Sequence, residues 1–124
     1  MIAHTILYVS DQNKSTELYA FLLGFKPTLH VPGMTEFKLS ESHILGLMPE
    51  AGIKRLLGDA LPDPSRGKGI PRVELYLRVE SPETAFDRAI HLGLKSLSPV
   101  EPRDWGMRAG YVMDPDGHVI AFSS

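Results

Sequence analysis

The pattern of apolar and polar residues predicts a strand at the start of the chain. Residues 3–9 alternate between two faces, with His4, Ile6 and Tyr8 on one of them. Such alternation is typical of a strand that packs one row of side chains against a core and leaves the other row exposed. Three further strands are predicted in this half, near residues 25–31, 35–40 and 43–48.

A helix is predicted directly after the first strand. Asp11 or Asn13 can cap its start, because a short polar side chain accepts a hydrogen bond from a free backbone N–H group of the first turn. Gly24 can end it, since glycine readily takes the left-handed conformation of a helix terminus. We expect its apolar stripe at Leu18, Phe21 and Leu22.

The second half of the chain repeats this order of elements. Residues 73–79 alternate as a strand, Ser81 can cap a helix, and Gly93 can end it. The sequence DPDG at 114–117 predicts a hairpin turn, because proline presets its own φ angle and glycine is free to take a positive one. The other strands of this half are predicted near residues 94–97, 107–113 and 118–122.

Two strands that begin with histidine align between the halves and fix their register. HILGLM from His43 and HVIAFS from His118 match residue by residue, which pairs Gly46 with Ala121. Both histidines flank predicted turns, and we expect structural or surface roles for them. The alignment shows which positions of the two halves are equivalent.

This repeat predicts one domain, residues 1–124, made of two βαβββ modules. Modules of about 60 residues are each too small to bury a sound core alone. The spacing between matched residues grows along the chain, from 70 between Val9 and Val79 to 75 between His43 and His118, and we expect the extra residues in a long loop at 98–107. The modules are predicted at about 1–50 and 72–124, with a linker at about 51–71.

Composition narrows the classes of function. The chain is 43% hydrophobic and 23% charged, as in an ordinary soluble protein, and its net charge of -2 offers no basic surface for nucleic acid. Without cysteine, neither a disulfide framework nor thiolate chemistry is available. The sequence shows no secretion signal and no apolar run of membrane-spanning length, so we predict a cytoplasmic protein with no nucleic-acid or membrane partner.

Several segments together resemble the superfamily of glyoxalases, bleomycin resistance proteins and ring-cleaving dioxygenases, also called vicinal oxygen chelate proteins. They are HTILYVSD, the helix-closing FLLGF and HLGL, and the terminal DPDGHVIAF, of which the last is the most specific. The resemblance implies an α+β fold in which paired βαβββ modules form curved mixed sheets around a cup-shaped cavity. It also implies a homodimer that holds a metal or a small molecule.

In metal-dependent members of that superfamily, His or Glu at four places supplies the ligands. The resemblance puts these places at His4, Gly46, Glu74 and Ala121, and two of the four have no coordinating group. A catalytic divalent metal generally needs three protein ligands, so glyoxalase I activity is not expected. His4 and Glu74 remain, as proton acceptors or, if a metal binds, as its ligands. Alternatively, His4 only forms a hydrogen bond with a neighbour.

Other predicted site residues surround these two. Tyr76 and Arg78 share a strand face with Glu74, where an arginine favours a ligand carboxylate or phosphate; alternatively, Glu74 pairs with Arg78 on a solvated edge. Trp105 is expected to stack on a flat ligand or a dimer partner, or else to plug the end of the core. The predicted ligand-binding set is Tyr8, Phe37, Gly46, Met48, Tyr76, Arg78, Trp105, Met107, Tyr111 and Ala121.

These observations predict a small-molecule-binding protein without a complete metal site and with no required cofactor. It would either sequester its ligand, as bleomycin resistance proteins do, or catalyse metal-independent proton transfer. The alternative is a metal-dependent lyase, isomerase or dioxygenase that binds a divalent metal through His4 and Glu74. A third interpretation, a purely structural dimerisation module, predicts an interior with no cavity beside His4.

Overall fold

Each half of the chain folds into a four-stranded mixed sheet with a helix between its first two strands. The protein, a computed structural model that describes residues 1–124, divides into two units, Met1–Lys68 and Gly69–Ser124. In both sheets the first and last strands of the module are parallel neighbours and the other pairs are antiparallel. The predicted α+β class and the two βαβββ modules are confirmed. The cup-shaped cavity stays a prediction.

The first unit contains four strands and two α-helices. Its sheet has the order β1-β4-β3-β2. Two turns of 3-10 helix follow α2, at Gly58–Ala60 and Pro64–Gly67. The elements are β1 (Ala3–Val9), α1 (Gln12–Leu23), β2 (Leu29–Val31), β3 (Met34–Ser40), β4 (His43–Pro49) and α2 (Glu50–Leu57).

The second unit contains four strands and one α-helix. Its sheet has the order β5-β8-β7-β6, which is the same pattern as in the first unit. None of the helices in either unit has both the length and the apolar character needed to cross a bilayer. The elements are β5 (Glu74–Arg78), α3 (Pro82–His91), β6 (Lys95–Pro102), β7 (Arg108–Met113) and β8 (Val119–Ser123).

Helix α1 begins and ends where the sequence predicts. The Asp11 carboxylate accepts a hydrogen bond from the backbone N–H of Lys14, and Gly24 closes the helix at a φ of 83°. The predicted apolar stripe is partly wrong, because Phe21 is 67% exposed. The residues that α1 buries are Ser15, Thr16, Tyr19 and Leu22.

Polar residues on the buried side of α1 explain this difference. The hydroxyl groups of Thr16 and Thr35 lie 2.8 Å apart, and the Gln12 amide donates to Thr35 at 3.0 Å. Since buried polar groups are stable when they are hydrogen-bonded, a helix face can turn inward without being apolar throughout. Thr35 is fully buried on the helix side of β3.

In the second unit, α3 packs closely on β7. Ser81 caps α3 by accepting a hydrogen bond from the backbone N–H of Thr84 at 3.3 Å, as the sequence predicts. A methyl group at Gly110 would lie 2.6 Å from Val100 Cγ2 and 2.9 Å from Phe86 Cδ2. This glycine therefore allows the close approach of the helix to the sheet. The buried apolar residues of this unit include Leu75, Ala89, Val112, Ile120 and Phe122.

The extra length of the second module lengthens a strand, and the prediction of a loop over residues 98–107 is wrong in that respect. Strand β6 has eight residues, whereas its counterpart β2 has three. β6 continues to Pro102 because residues 98, 101 and 102 pair with β7, across register shifts. Only residues 103–107 form the loop.

Candidate functional site

The register of the first sheet places predicted site residues on one face. His4 lies beside Ile44, Ile6 beside Gly46 and Tyr8 beside Met48. Paired residues of neighbouring strands point to the same side of a sheet, so these side chains share the face opposite α1. The other face of β1 carries Leu7 and Val9, which are buried. His4, Tyr8, Gly46 and Met48 are thus brought together on the exposed face.

A residue absent from the predicted site contacts His4. The carboxylate Oε2 of Glu36 lies 3.2 Å from His4 Nδ1, with the two side chains 25% and 43% exposed. Glu36 lies on β3 directly opposite Gly46. The internal repeat could have predicted Glu36, because the 75-residue spacing matches it with Tyr111, a predicted site residue.

Side chains of the first unit cover Gly46. A methyl group at this position would lie 3.1 Å from Ile6 Cγ1 and 3.3 Å from Met34 Sδ. Ile6 and Met34 therefore occupy the space that a side chain at residue 46 would need. The absence of a side chain leaves no open volume directly above Gly46.

The second sheet presents an equivalent face with different chemistry. Tyr76 and Tyr111 flank Ala121 in the register, as Ile6 and Glu36 flank Gly46. The Tyr76 hydroxyl lies 2.7 Å from Ser123 Oγ and accepts a hydrogen bond from the Trp105 indole N–H at 3.0 Å. Trp105 is 56% exposed, so it does not plug the core. The site residues assembled here are Glu74, Tyr76, Arg78, Trp105, Tyr111 and Ala121.

Arg103 stabilises the β6–β7 hairpin and lies against Tyr111. Its guanidinium donates to the Ala109 carbonyl at 2.7 and 3.0 Å and lies 5.1 Å from the centre of the Tyr111 ring. Burial raises the pKa of the Tyr111 phenol, the charge of Glu74 and the neighbouring Tyr76 raise it further, and the Arg103 charge opposes them. Tyr111 is thus a neutral O–H group at ordinary pH.

The possible pair of Glu74 with Arg78 does not form. Glu74 and Arg78 both have exposed side chains and form no ion pair.

Phe37 is fully buried on the helix side of β3, where its ring packs edge-on against Phe25 with centroids 6.2 Å apart. The structure therefore places Phe37 in the core, apart from the exposed face. Met107 is half-buried in the hairpin loop.

The terminal hairpin holds three groups with metal-ligand chemistry. Donor atoms of Asp114, Asp116 and His118 lie within 4.8 Å of one another. The Asp114 carboxylate already accepts from the backbone N–H groups of Asp116 and His118, at 3.0 and 2.8 Å, and lies 2.8 Å from His118 Nδ1. These bonds close the predicted DPDG turn and agree with the structural role expected for His118. His43 is likewise bonded within its sheet, to the Thr5 hydroxyl at 2.7 Å.

An open cleft of about 330 Å³ lies at the start of α1. Gln12 spans it, donating to the Val31 carbonyl at 2.8 Å and accepting from the Gly33 N–H at 2.9 Å. None of the predicted site residues lines this cleft. Its lining consists of Asp11, Gln12, Asn13, His30, Val31, Pro32 and Gly33.

Residues 1–122 match the family model of the Glyoxalase/Bleomycin resistance protein/Dioxygenase superfamily. The chain belongs to this superfamily. Among curated proteins, none matches the sequence. Solved structures show the same fold at low identity, among them a glyoxalase-related enzyme from Fulvimarina pelagi, at 21% identity and a TM-score of 0.83 over 99% of this chain and 86% of that one.

Two other solved structures are similar over nearly the whole of this chain. A glyoxalase/bleomycin resistance protein/dioxygenase from Nocardioides is 24% identical, with a TM-score of 0.78 over 99% of this chain and 82% of that one. A glyoxalase/bleomycin resistance protein from Catenulispora acidiphila is 23% identical, with a TM-score of 0.67 over 99% and 96%. At these identities the likeness shows the fold and leaves the chemistry to the residues of this chain.

Divalent metals are common in the superfamily, and the residues of this chain do not fit the usual set of ligands. Gly46 and Ala121 have no donor atom in their side chains. In the first unit, the donors His4 and Glu36 lie 3.2 Å apart and face each other. Two side chains seldom hold a catalytic metal tightly, so no chemical step is assigned to one here.

Proposed function

We propose that this protein binds a small organic molecule without a tightly held metal, and that it either sequesters this ligand or transfers a proton to or from it. The observation that carries the proposal is the accessible His4–Glu36 pair on a sheet face that offers no third His, Cys, Asp or Glu side chain. A histidine paired with a carboxylate can accept a proton or a hydrogen bond without a metal.

The exposed face of the first sheet suits a ligand with an apolar body. Ile6 and Tyr8 are 40% and 38% exposed, and Leu29 and Val31 on the same face are 38% and 45% exposed. Small-molecule sites usually combine apolar and aromatic walls with a few polar groups that fix orientation. Here His4 and Glu36 would supply the polar groups.

The face of the second sheet carries, by itself, groups that suit aromatic or anionic ligands. Trp105 offers an exposed indole ring that its hydrogen bond to Tyr76 holds in place. Arg78 is exposed and forms no ion pair, so its guanidinium is available to a carboxylate or phosphate. We include both residues in the proposed ligand-binding set. A homodimer, common in the superfamily, is part of the proposal.

Thermal unfolding with a panel of thiols, hydroxy-aromatics, phosphonates and glycopeptide antibiotics tests this function. At about 100 times its Kd, a ligand of the folded protein should raise Tm by roughly 5–10 °C. Ile6→Lys should abolish the shift, because it puts a charge on the proposed binding face. Phe21→Lys is the matched control, since Phe21 is an exposed apolar residue of α1. No shift with any class, or equal loss in both variants, would refute the proposal.

A further inference from the structure

We propose that Glu36 is a positioning residue that fixes the tautomer of His4, and this inference rests on the proposed function above. Glu36 Oε2 lies 3.2 Å from His4 Nδ1. A neutral imidazole beside this carboxylate carries its proton on Nδ1, because a lone pair on that nitrogen would face the negative charge. Its Nε2 atom is then a hydrogen-bond acceptor that faces away from Glu36.

The surroundings of Glu36 favour this single role. Glu36 is on β3, an interior strand between β4 and β2, and its side chain is only 25% exposed. Lys38, the basic residue on the same face of β3, is bound to Glu41 at 2.9 Å. His4 therefore has no competitor for the Glu36 carboxylate among the ion pairs of this unit.

Gly46 contributes to the arrangement. In the register, residue 46 lies between Ile6 of β1 and Glu36 of β3. Because glycine has no side chain, residue 46 adds no coordinating group beside His4 and Glu36, and Ile6 and Met34 cover the position.

The class of ligand that would bind follows from the Nε2 atom of His4. His4 is 43% exposed, and its Nε2 atom has no hydrogen-bond partner in the protein. This atom suits a ligand that carries an O–H, an N–H or an acidic C–H group on an apolar body. In the transfer step the ligand X–H bond breaks and an N–H bond forms at Nε2. The electron pair stays on X, and the negative charge of Glu36 beside Nδ1 stabilises the imidazolium.

The second unit carries other side chains at the equivalent positions. Glu74 occupies the place of His4 on the first strand of its module, and Tyr111 occupies the place of Glu36. Burial is the main cause of the raised pKa of Tyr111, and the charge of Glu74 adds to it. The pairing of a histidine with a carboxylate is thus a feature of the first unit.

The tautomer of His4 can be measured directly by two-bond 1H–15N correlation spectra of the ligand-free protein. They are recorded at alkaline pH, about 8.5, where the spectra themselves show whether the ring is neutral. We expect the Nδ1–H form of His4 in the wild type. Glu36→Leu should lower the ratio of the Nδ1–H form to the Nε2–H form at least about tenfold. Leucine is similar in size to glutamate but has neither a negative charge nor a hydrogen-bond acceptor.

Two controls accompany this measurement. Glu36→Gln keeps an acceptor oxygen and should restore part of the Nδ1–H form, whereas Glu17→Leu removes an exposed carboxylate of α1 and should leave His4 unchanged. Backbone amide spectra show whether each variant is folded, and Glu36→Gln provides the comparison if Glu36→Leu is not. An Nε2–H form in the wild type, or the same ratio in wild type and Glu36→Leu, would overturn the inference. Both results are independent of ligand binding.

Discussion

At the scale of single residues, two glycines on opposite faces of their sheets show how packing limits substitution. Gly46 is on the exposed face of β4 and meets only the flexible side chains of Ile6 and Met34, at 3.1 Å or more. Gly110 is on the helix side of β7, where a methyl group would overlap Val100 and Phe86. The same change at the two positions therefore has different consequences.

Gly46→Ala should change the free energy of unfolding by less than about 1 kcal/mol, because Ile6 and Met34 can shift by a few tenths of an ångström. Gly110→Ala should cost about 2 kcal/mol, since it overpacks the contact between α3 and β7. Urea denaturation followed by circular dichroism measures both. Equal costs would show that the two faces are packed alike, contrary to the structure.

Tyr111 should give the protein a specific dependence of stability on pH. The unfolded chain loses the Tyr111 proton near its ordinary pKa of about 10, whereas burial raises the pKa in the folded state. As pH rises from the unfolded pKa to the folded pKa, the folded state therefore loses stability, because only the unfolded chain has released the Tyr111 proton. Wild type should lose stability relative to Tyr111→Phe between pH about 9 and 11. A constant difference between their urea midpoints over this range would contradict the pKa shift.

Glu36 and Phe37 show what the sequence pattern does not predict at single positions. Glu36 is one acidic residue in an alternating strand, and its place opposite Gly46 follows only from its match with Tyr111 in the repeat or from the pairing with β4. Phe37, its neighbour, is predicted in the site and lies on the helix side of the sheet, because the pattern of a strand does not show which side faces the helix. Contacts across strands depend on register, which local pattern alone specifies weakly.

At the scale of elements, polar caps and turn glycines were the parts that the sequence predicted best. Asp11, Gly24, Ser81 and the DPDG turn all act as expected, because each depends only on neighbouring backbone groups. The buried face of α1 and the length of β6 were not predicted correctly. Both depend on partners distant in sequence, such as Thr35 for Thr16 and β7 for β6.

The cap of α1 can be tested against the alternative that the sequence left open. Asp11→Ala should destabilise the protein by about 1 kcal/mol, because the backbone N–H of Lys14 loses its acceptor. Asn13→Ala should have little effect, since Asn13 is an exposed residue inside the first turn. Urea midpoints of the two variants decide between these residues. A larger loss for Asn13→Ala would assign the cap to the other side chain.

At the scale of the whole molecule, the internal repeat predicted most of the architecture. It implied two βαβββ units and the equivalence of Gly46 with Ala121, and both sheets have the same strand order. The repeat says less about chemistry, because equivalent positions carry different side chains. His4 matches Glu74 and Glu36 matches Tyr111, so each unit needs its own contacts before its role can be inferred.

The central proposal is that this chain works without a catalytic metal. Elemental analysis of protein purified without an affinity tag tests it most directly, with wild type and His4→Ala measured side by side. We predict well under one equivalent of Fe, Mn, Ni or Zn per chain in both. One equivalent of any of these metals in the wild type, lost in His4→Ala, would contradict the account and favour a metal-dependent enzyme.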